Sequence, residues 1–227
     1  MNEDLLIENA AMIRRFSEFS TLADLDLHPQ RLPAGCNRAV CAGICKLPGG
    51  AACVGLMMME VLGLRPVPLP DELQPRHRLA LEPSARLNRA LDLTAKAVMK
   101  PGVSKVIERM ERLRIRSFLG ESDFLFLTST VPLLISRTRL ELLSKDLEAD
   151  YEGDLQGWYQ ITLSNVIKAL WGRESLFFRR RVELKLADGL SVPAETQGNV
   201  TVSPTLSALA IRILSQIELE EPRGCFA

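Results

Sequence analysis

The chain contains 227 residues, of which 47% are apolar and 25% charged. This balance is typical of a folded globular protein and excludes a largely disordered chain. Its 28 basic residues are matched by 28 acidic ones. The total charge therefore favours neither nucleic acid, nor a membrane surface, nor an acidic substrate, and only local clusters of charge are informative.

The sequence predicts neither an export signal nor a membrane-spanning segment. The acidic start at residues 1–6 lacks the basic and apolar regions of a secretory signal. The longest apolar run, residues 51–59, is shorter than the roughly 20 residues that cross a bilayer. We therefore expect a soluble, cytoplasmic protein, in which the five cysteines are reduced rather than paired in disulfides.

The N-terminal third predicts short helices and a proline-rich connector. Residues 1–35 predict one short helix and a loop, and residues 36–64 predict a helix that starts after two glycines. Four prolines, the first Pro66 and the last Pro75, then exclude a regular helix, because each lacks a backbone donor. We therefore expect a small N-terminal lobe with its connector at residues 1–70 and a helical main body at residues 71–227, or one continuous domain.

Helical patterns dominate from Pro83 onward. Apolar residues recur at helical spacing between Leu87 and Val98, and Pro101–Gly102 predicts a stop. The next helix is predicted to end at Gly120. Residues 124–135 are apolar and contain a proline, which predicts a kinked or broken helix deep in the core.

The C-terminal part predicts an acidic connector at residues 146–154 and then further helices. Residues 179–186 alternate polar with apolar side chains, which fits a strand or a helix end, and we favour a helix. Residues 189–204 predict a loop before a last helix at 206–219. The predicted fold class is therefore mainly α and compact, in one or two lobes, with at most a minor β element near residues 181–203.

The cysteines and histidines do not predict an active site. Zinc ligands usually occur in pairs two to four residues apart. The gaps between the four clustered cysteines are five, four and eight residues, so we interpret them as core residues: Cys36, Cys41, Cys45 and Cys53. His28 and His77 are expected in proline-bordered loops, and neither has a Ser or Cys neighbour arranged as in a catalytic triad. We therefore predict no catalytic residue, no metal and no cofactor.

Two basic clusters are the candidate sites. The segment from Lys96 to Arg116 contains seven basic residues and only two acidic ones. Arg109, Arg112 and Arg116 recur at spacings of three and four, which places them on one helix face, and we expect Val106, Met110 and Leu113 to anchor that helix. Arg179, Arg180 and Arg181 form the second cluster. Each cluster is a solvated face, a docking surface for an acidic protein partner or a nucleic-acid-binding surface, and the last lacks the interleaved aromatics or motif that it would need. We take these six arginines as candidate partner-binding residues.

Several short signatures occur in the order typical of one protein family. They are Arg14–Phe16, Leu27–Pro33, Leu79–Pro83, Phe118–Glu121, Gly157–Trp158 and Arg179–Leu186. Together they resemble the SctK/YscK family, accessory proteins of the bacterial type III secretion system. The resemblance extends over most of residues 12–190.

The resemblance implies a non-enzymatic adaptor of the injectisome sorting platform, at the cytoplasmic face of the inner-membrane base. It implies that the protein links the forkhead-associated-like cytoplasmic domain of the ring protein SctD to the pod protein SctQ. SctL and the ATPase SctN would be reached indirectly, and secretion would depend on the link. It implies neither membrane insertion nor nucleic acid as a partner. The alternatives are a helical nucleic-acid-binding regulator and a small cysteine-dependent enzyme.

Overall fold

The computed structural model describes most of the chain. The described residues are 3–22, 26, 28, 31, 33, 35–70, 72–106, 108–147, 154–193 and 204–220. They are predominantly helical and none of them lies in a β-strand, so the predicted mainly α fold class is confirmed. Where the sequence allows a minor β element, residues 181–185 are helical and residues 194–203 lie outside the described part.

The helices differ widely in length. In the described residues they are α1 (Glu3–Thr21), α2 (Arg38–Cys45), α3 (Gly50–Val61), α4 (Pro75–Ala80), α5 (Ser84–Lys105), α6 (Arg109–Leu119), α7 (Glu121–Leu125), a π-helical segment (Phe126–Thr130), α8 (Val131–Leu134), α9 (Arg137–Asp146), α10 (Leu155–Trp171), α11 (Leu176–Lys185) and α12 (Pro204–Glu220). None of these helices combines the length and the apolar character that a membrane span requires.

The chain divides into two compact units. The N-terminal unit comprises Met1–Leu87 and Glu174–Leu190, and the C-terminal unit comprises Asn88–Arg173 and Ser191–Ala227. This division differs from the predicted boundary after residue 70, because α4 and the distant helix α11 belong to the N-terminal unit. Local proline content does not reveal that a helix far along the chain returns to an earlier lobe.

The core of the N-terminal unit packs α1 against α3 and α11. Phe16 and Phe19 of α1 are buried, and the ring centroids of Phe19 and of Phe178 on α11 are 5.3 Å apart. Val54 and Met58 bury one side of α3 in the same unit. An apolar face on each of these helices therefore supplies the core.

Two basic side chains of α11 are buried inside this unit. Arg181 Nη2 donates to the Ser20 carbonyl at 2.8 Å, and Lys185 Nζ donates to the Ala80 carbonyl at 3.2 Å. Ser20 and Ala80 lie at the C-terminal ends of α1 and α4, where carbonyls lack intrahelical donors and the helix dipole favours a cation. Lys185 Nζ also pairs with Asp26 at 3.0 Å. The two cations thus stabilise helix ends.

In the C-terminal unit, buried apolar residues come from α5, α9, α10 and α12. They include Leu91, Val98, Leu143, Val166, Ile167, Trp171 and Ile213. Helix α5 continues through Pro101 to Lys105, so the predicted stop at Pro101–Gly102 is wrong. Proline removes one donor but keeps a helical φ angle. Met99 and Gly102 on either side are buried, so packing holds both halves in one helix.

The broken helix predicted for residues 124–135 is present as α7, the π-helical segment and α8. The Val131 N–H donates to the Phe126 carbonyl, five residues back. Pro132 has no N–H for the carbonyl four residues earlier, so one α-helical bond is missing where the π turn occurs. Leu133 is 85% exposed. The expectation that the whole segment lies deep in the core is therefore wrong.

Candidate partner-binding groove

Helix α6 carries three arginines of the first basic cluster on an exposed face, which we call the basic stripe. Arg109, Arg112 and Arg116 are all exposed, in agreement with their spacing. The helix is anchored by Ile115 and Leu119, which are almost fully buried. The stripe is therefore available to a partner while its helix is held by the core.

The anchoring side of α6 differs from the predicted one. Met110 and Leu113 are 64% and 50% exposed, although their spacing fits a core-facing side. Ile115 and Leu119 have helical spacing too, so the pattern does not decide which pair is covered. As a result, Leu113 lies outside the core, among the basic side chains.

A groove with a volume of about 360 Å³ lies between α6, the C-terminal end of α5 and the segment from α7 into the π-helix. We call it the basic groove. Its apolar lining consists of Val103, Leu113, Ile115, Leu119, Phe124 and Leu127. Its basic lining consists of Lys100, Arg109, Arg112 and Arg116. Among the described residues that line it, none is acidic.

Arg116 is held at one edge of the groove. Its Nε and Nη2 atoms donate to the two carboxylate oxygens of Glu121 at 2.9 and 2.6 Å, and its guanidinium lies 5.1 Å from the centroid of the Phe124 ring. The hydrogen bond from Arg116 lowers the pKa of Glu121. Gly120 has a φ of 79°, which glycine adopts without strain, and it separates α6 from α7. Glu121 therefore neutralises part of the Arg116 charge.

The other two arginines of the stripe are not neutralised by a neighbouring carboxylate among the described residues. Arg112 Nε donates to the Val106 carbonyl at 2.7 Å. Neither Arg109 nor Arg112 forms an ion pair with a residue that the structure describes. Positive charge at the groove therefore comes mainly from these two side chains.

Lys100 adds a fourth cation. Its Nζ atom donates to the Leu127 carbonyl at 2.6 Å, and burial lowers its pKa. Lys100 also lines a neighbouring cavity of about 490 Å³, together with Lys105 and Arg137. Basic residues thus continue around the end of α5.

The second basic cluster does not form one surface. Arg180 is exposed, Arg179 is half-buried with its Nε donating to the Glu174 carbonyl at 3.2 Å, and Arg181 is 1% exposed. Successive helical residues point about 100° apart, so three consecutive arginines do not share a face. A docking role does not fit Arg181, because its side chain is bound inside the N-terminal unit.

Three of the four clustered cysteines lie in or against the core of the N-terminal unit, as predicted. Cys41 is buried, and Cys36 and Cys45 pack against the same cluster. Burial, with a contribution from Cys41, raises the pKa of the Cys45 thiol and so disfavours its reactive thiolate. Cys53 is exposed, contrary to the prediction. Over the described ranges no three His, Cys, Asp or Glu side chains are grouped around a possible metal position, and the lack of a metal remains a prediction.

His77 lies on α4 rather than in a loop, and it is buried. Its Nε2 atom is 3.0 Å from Glu174 Oε1, to which Arg76 Nε also donates at 2.6 Å, and its Nδ1 atom accepts the Gln74 N–H at 3.1 Å. Burial acts to raise the pKa of Glu174, but the hydrogen bonds from His77 and Arg76 outweigh it and lower the pKa. This cluster connects α4 to Glu174, two residues before the start of α11.

A polar cluster that sequence reasoning missed connects α5, α7 and α10. Buried Asp123 accepts hydrogen bonds from Arg89 and, at 2.5 Å, from Lys96. Asp92 pairs with Lys96 at 2.9 Å and accepts the Tyr159 hydroxyl at 2.8 Å. Burial acts to raise the pKa of Asp123, but the bonds from Arg89 and Lys96 outweigh it and lower the pKa, whereas burial raises the pKa of Tyr159. The spacing of Arg89, Asp92 and Lys96 was its only local signal.

The basic groove combines exposed charge with an apolar cavity, whereas the His77 and Asp123 clusters are paired internally. Sequence reasoning found its arginines and placed Leu127 in the core, where it is 3% exposed, but it did not place Phe124 and Leu127 beside these arginines. No local pattern marks the two apolar residues as groove lining, because three separate segments form the groove. No protein-family model matches the chain, and neither a curated protein nor a solved structure matches it.

Proposed function

We propose that this protein is a non-enzymatic cytoplasmic adaptor that binds a partner protein in the basic groove. We further propose that it works in the sorting platform of a type III secretion injectisome, at the cytoplasmic face of the inner-membrane base. The observation that carries the adaptor proposal is an apolar groove lined by four cations and, among its described lining residues, by no carboxylate. The ordered SctK/YscK-like signatures support the platform assignment.

The chemistry of the groove suits an acidic, amphipathic segment. An apolar side chain that enters it would remove Leu113 and Phe124 from water, and burying one Leu or Phe side chain is worth about 1.5–3 kcal/mol. Carboxylates on the flanking turns would meet Arg109 and Arg112, which form no ion pair with the described residues. Apolar burial then provides affinity, while the charges speed association and fix the register.

In the sorting platform, the proposed direct partners are the cytoplasmic domain of SctD and the pod protein SctQ. SctL and SctN would be connected through SctQ. We propose that one of the two direct partners contributes the acidic segment. The adaptor role needs no reacting group, so it is compatible with the internally paired His77 and with the raised pKa of Cys45.

Charge reversal on α6 tests this proposal. We would compare Arg109→Glu with Arg114→Glu, a matched control on the same helix whose side chain is 72% exposed, pairs with Glu111 and does not line the groove. Binding to the SctD domain and to SctQ would be measured by calorimetry. We expect Arg109→Glu to weaken one of the two by about tenfold through like-charge repulsion. Both variants should melt like wild type, because exposed substitutions cost within about 0.5 kcal/mol.

A stronger variant decides the outcome. If a triple reversal of Arg109, Arg112 and Arg116 to Glu melts like wild type and still binds both partners, the stripe is only a solvated face. If the wild-type protein binds neither partner, the platform assignment is refuted. Steeply salt-dependent binding to DNA would instead favour the nucleic-acid alternative.

A further inference from the structure

Helix α3 exposes an apolar stripe on the side opposite its core contacts. Val54 and Met58 are buried, whereas Leu56 and Met57 are 61% and 43% exposed and Cys53 is also exposed. Residues three and four apart lie side by side on a helix surface. The outer stripe therefore consists of Cys53, Leu56, Met57 and Val61, which is 58% exposed, and the exposed Glu60 lies beside it near the C-terminal end of the helix.

The composition of α3 indicates that this stripe is covered when the protein functions. Glu60 is the only charged residue among the twelve of the helix. A surface helix normally carries charged and polar residues on its outer side, and a helix that is apolar on all sides is normally buried. A contiguous exposed apolar patch of this kind marks an interaction surface.

Two exposed charged residues flank the apolar part of the stripe along the chain, one towards each end of α3. Glu60 is exposed near the C-terminal end of α3. Lys46 is exposed in the turn that leads into the N-terminal end, and that turn is tight because the Gly50 N–H donates to the Leu47 carbonyl at 2.9 Å. Along the stripe there is thus a carboxylate near one end, an apolar centre and a lysine near the other end.

We propose that this stripe binds the same stripe of a second copy of the chain, with the two α3 helices antiparallel. If the pair is centred on Leu56, each Glu60 lies about 6 Å beyond the centre, near the N-terminal end of the other helix. There both the helix dipole and Lys46 of the other copy favour a carboxylate. A parallel pair would bring like charges together.

The charge pattern favours a second copy over a different protein. A two-fold interface forms each contact twice, so one Glu60–Lys46 contact is repeated on the other side of the axis. The stripe offers a foreign partner no net charge to recognise, in contrast to the basic groove in the C-terminal unit. A face of about three turns is smaller than a standard stable interface. We therefore expect a weak dimer that dissociates on dilution, and this dimer does not depend on the function of the basic groove.

Analytical ultracentrifugation of the full chain over a range of concentrations tests the dimer. We would compare Leu56→Glu with Leu142→Glu on α9, a control whose side chain is similarly exposed at 56%. We expect the wild type and Leu142→Glu to dimerise equally, and Leu56→Glu to raise the dissociation constant at least about tenfold, because two carboxylates would meet at the apolar centre. A wild-type chain that stays monomeric up to millimolar concentration overturns the proposal.

A charge exchange tests the antiparallel arrangement even if Leu56→Glu unfolds. Glu60→Lys and Lys46→Glu should each weaken the dimer, because like charges then face each other across the axis. The double variant should restore wild-type association. If it does not, the antiparallel pairing is wrong.

Crosslinking gives an independent measurement near the centre of the stripe. In a Cys225→Ser background, a short bismaleimide should link two copies through the exposed Cys53. Adding Cys53→Ser should abolish the crosslinked dimer. Unchanged crosslinking in that variant would contradict the proposed interface.

Discussion

Replacing Arg181 separates a structural role from a docking role. Arg181 is among the largest fully buried side chains, and its Nη2 atom donates to the Ser20 and Arg65 carbonyls at 2.8 and 3.3 Å. Arg181→Ala removes these bonds and leaves a cavity. Arg180→Ala, at the preceding residue of the same helix, changes only an exposed side chain.

The expected cost follows from these contacts. A buried carbonyl that loses its partner costs about 1–3 kcal/mol, and bonds to charged groups are the stronger ones. The cavity left by a large side chain adds to this, so we expect Arg181→Ala to lower the free energy of unfolding by about 3–5 kcal/mol. Arg180→Ala should change it by less than about 0.5 kcal/mol. Arg181→Met should fall between them, because it fills the space but donates no hydrogen bond.

Urea unfolding with two probes measures the effect in the right unit. Trp158 and Trp171, the two tryptophans of the chain, belong to the C-terminal unit, so their fluorescence reports that unit, whereas circular dichroism reports all helices. We expect Arg181→Ala to shift an early circular-dichroism transition more than the fluorescence transition. If Arg181→Ala unfolds like Arg180→Ala by both probes, Arg181 does not stabilise the N-terminal unit, and the reasoning fails.

Three further predictions concern the ionised cluster and the cysteines. Because the folded pKa of Asp123 is lowered, its stabilisation is present above the unfolded pKa of about 4 and is lost as the pH falls through the folded pKa. Asp123→Asn should therefore melt lower than wild type at neutral pH and lose less stability on acidification; thermal melts across that range check this, and equally steep acid loss in both proteins would contradict it. In the folded protein, Cys53 should react with a thiol reagent well before Cys41, because Cys53 is exposed and Cys41 is buried. A Cys53→Ser variant that keeps the fast phase, once Cys225 is also replaced, would refute this. Metal analysis of the purified protein should find no stoichiometric zinc. Stoichiometric zinc would overturn the interpretation of the clustered cysteines as core residues rather than metal ligands.

The sequence was sufficient for local features of this protein. Apolar spacing predicted helices on both sides of the proline-rich stretch, and the spacing of Arg109, Arg112 and Arg116 placed these residues on one exposed face. The cysteine spacing, which does not fit a zinc site, predicted core packing, and this prediction holds for Cys41 but not for Cys53. These predictions work because helix periodicity depends on neighbours along the chain.

The tertiary structure decided which helix faces are covered. Met110 and Leu113 have the spacing of core residues, yet Ile115 and Leu119 anchor α6, and Leu113 lines the basic groove. A run of three arginines gave no sign that Arg181 would be buried at the end of α1, because its acceptor, the Ser20 carbonyl, lies in a helix far away in the chain. Periodicity shows that a helix has faces with different properties, but which of them is buried depends on segments that only the folded chain brings together.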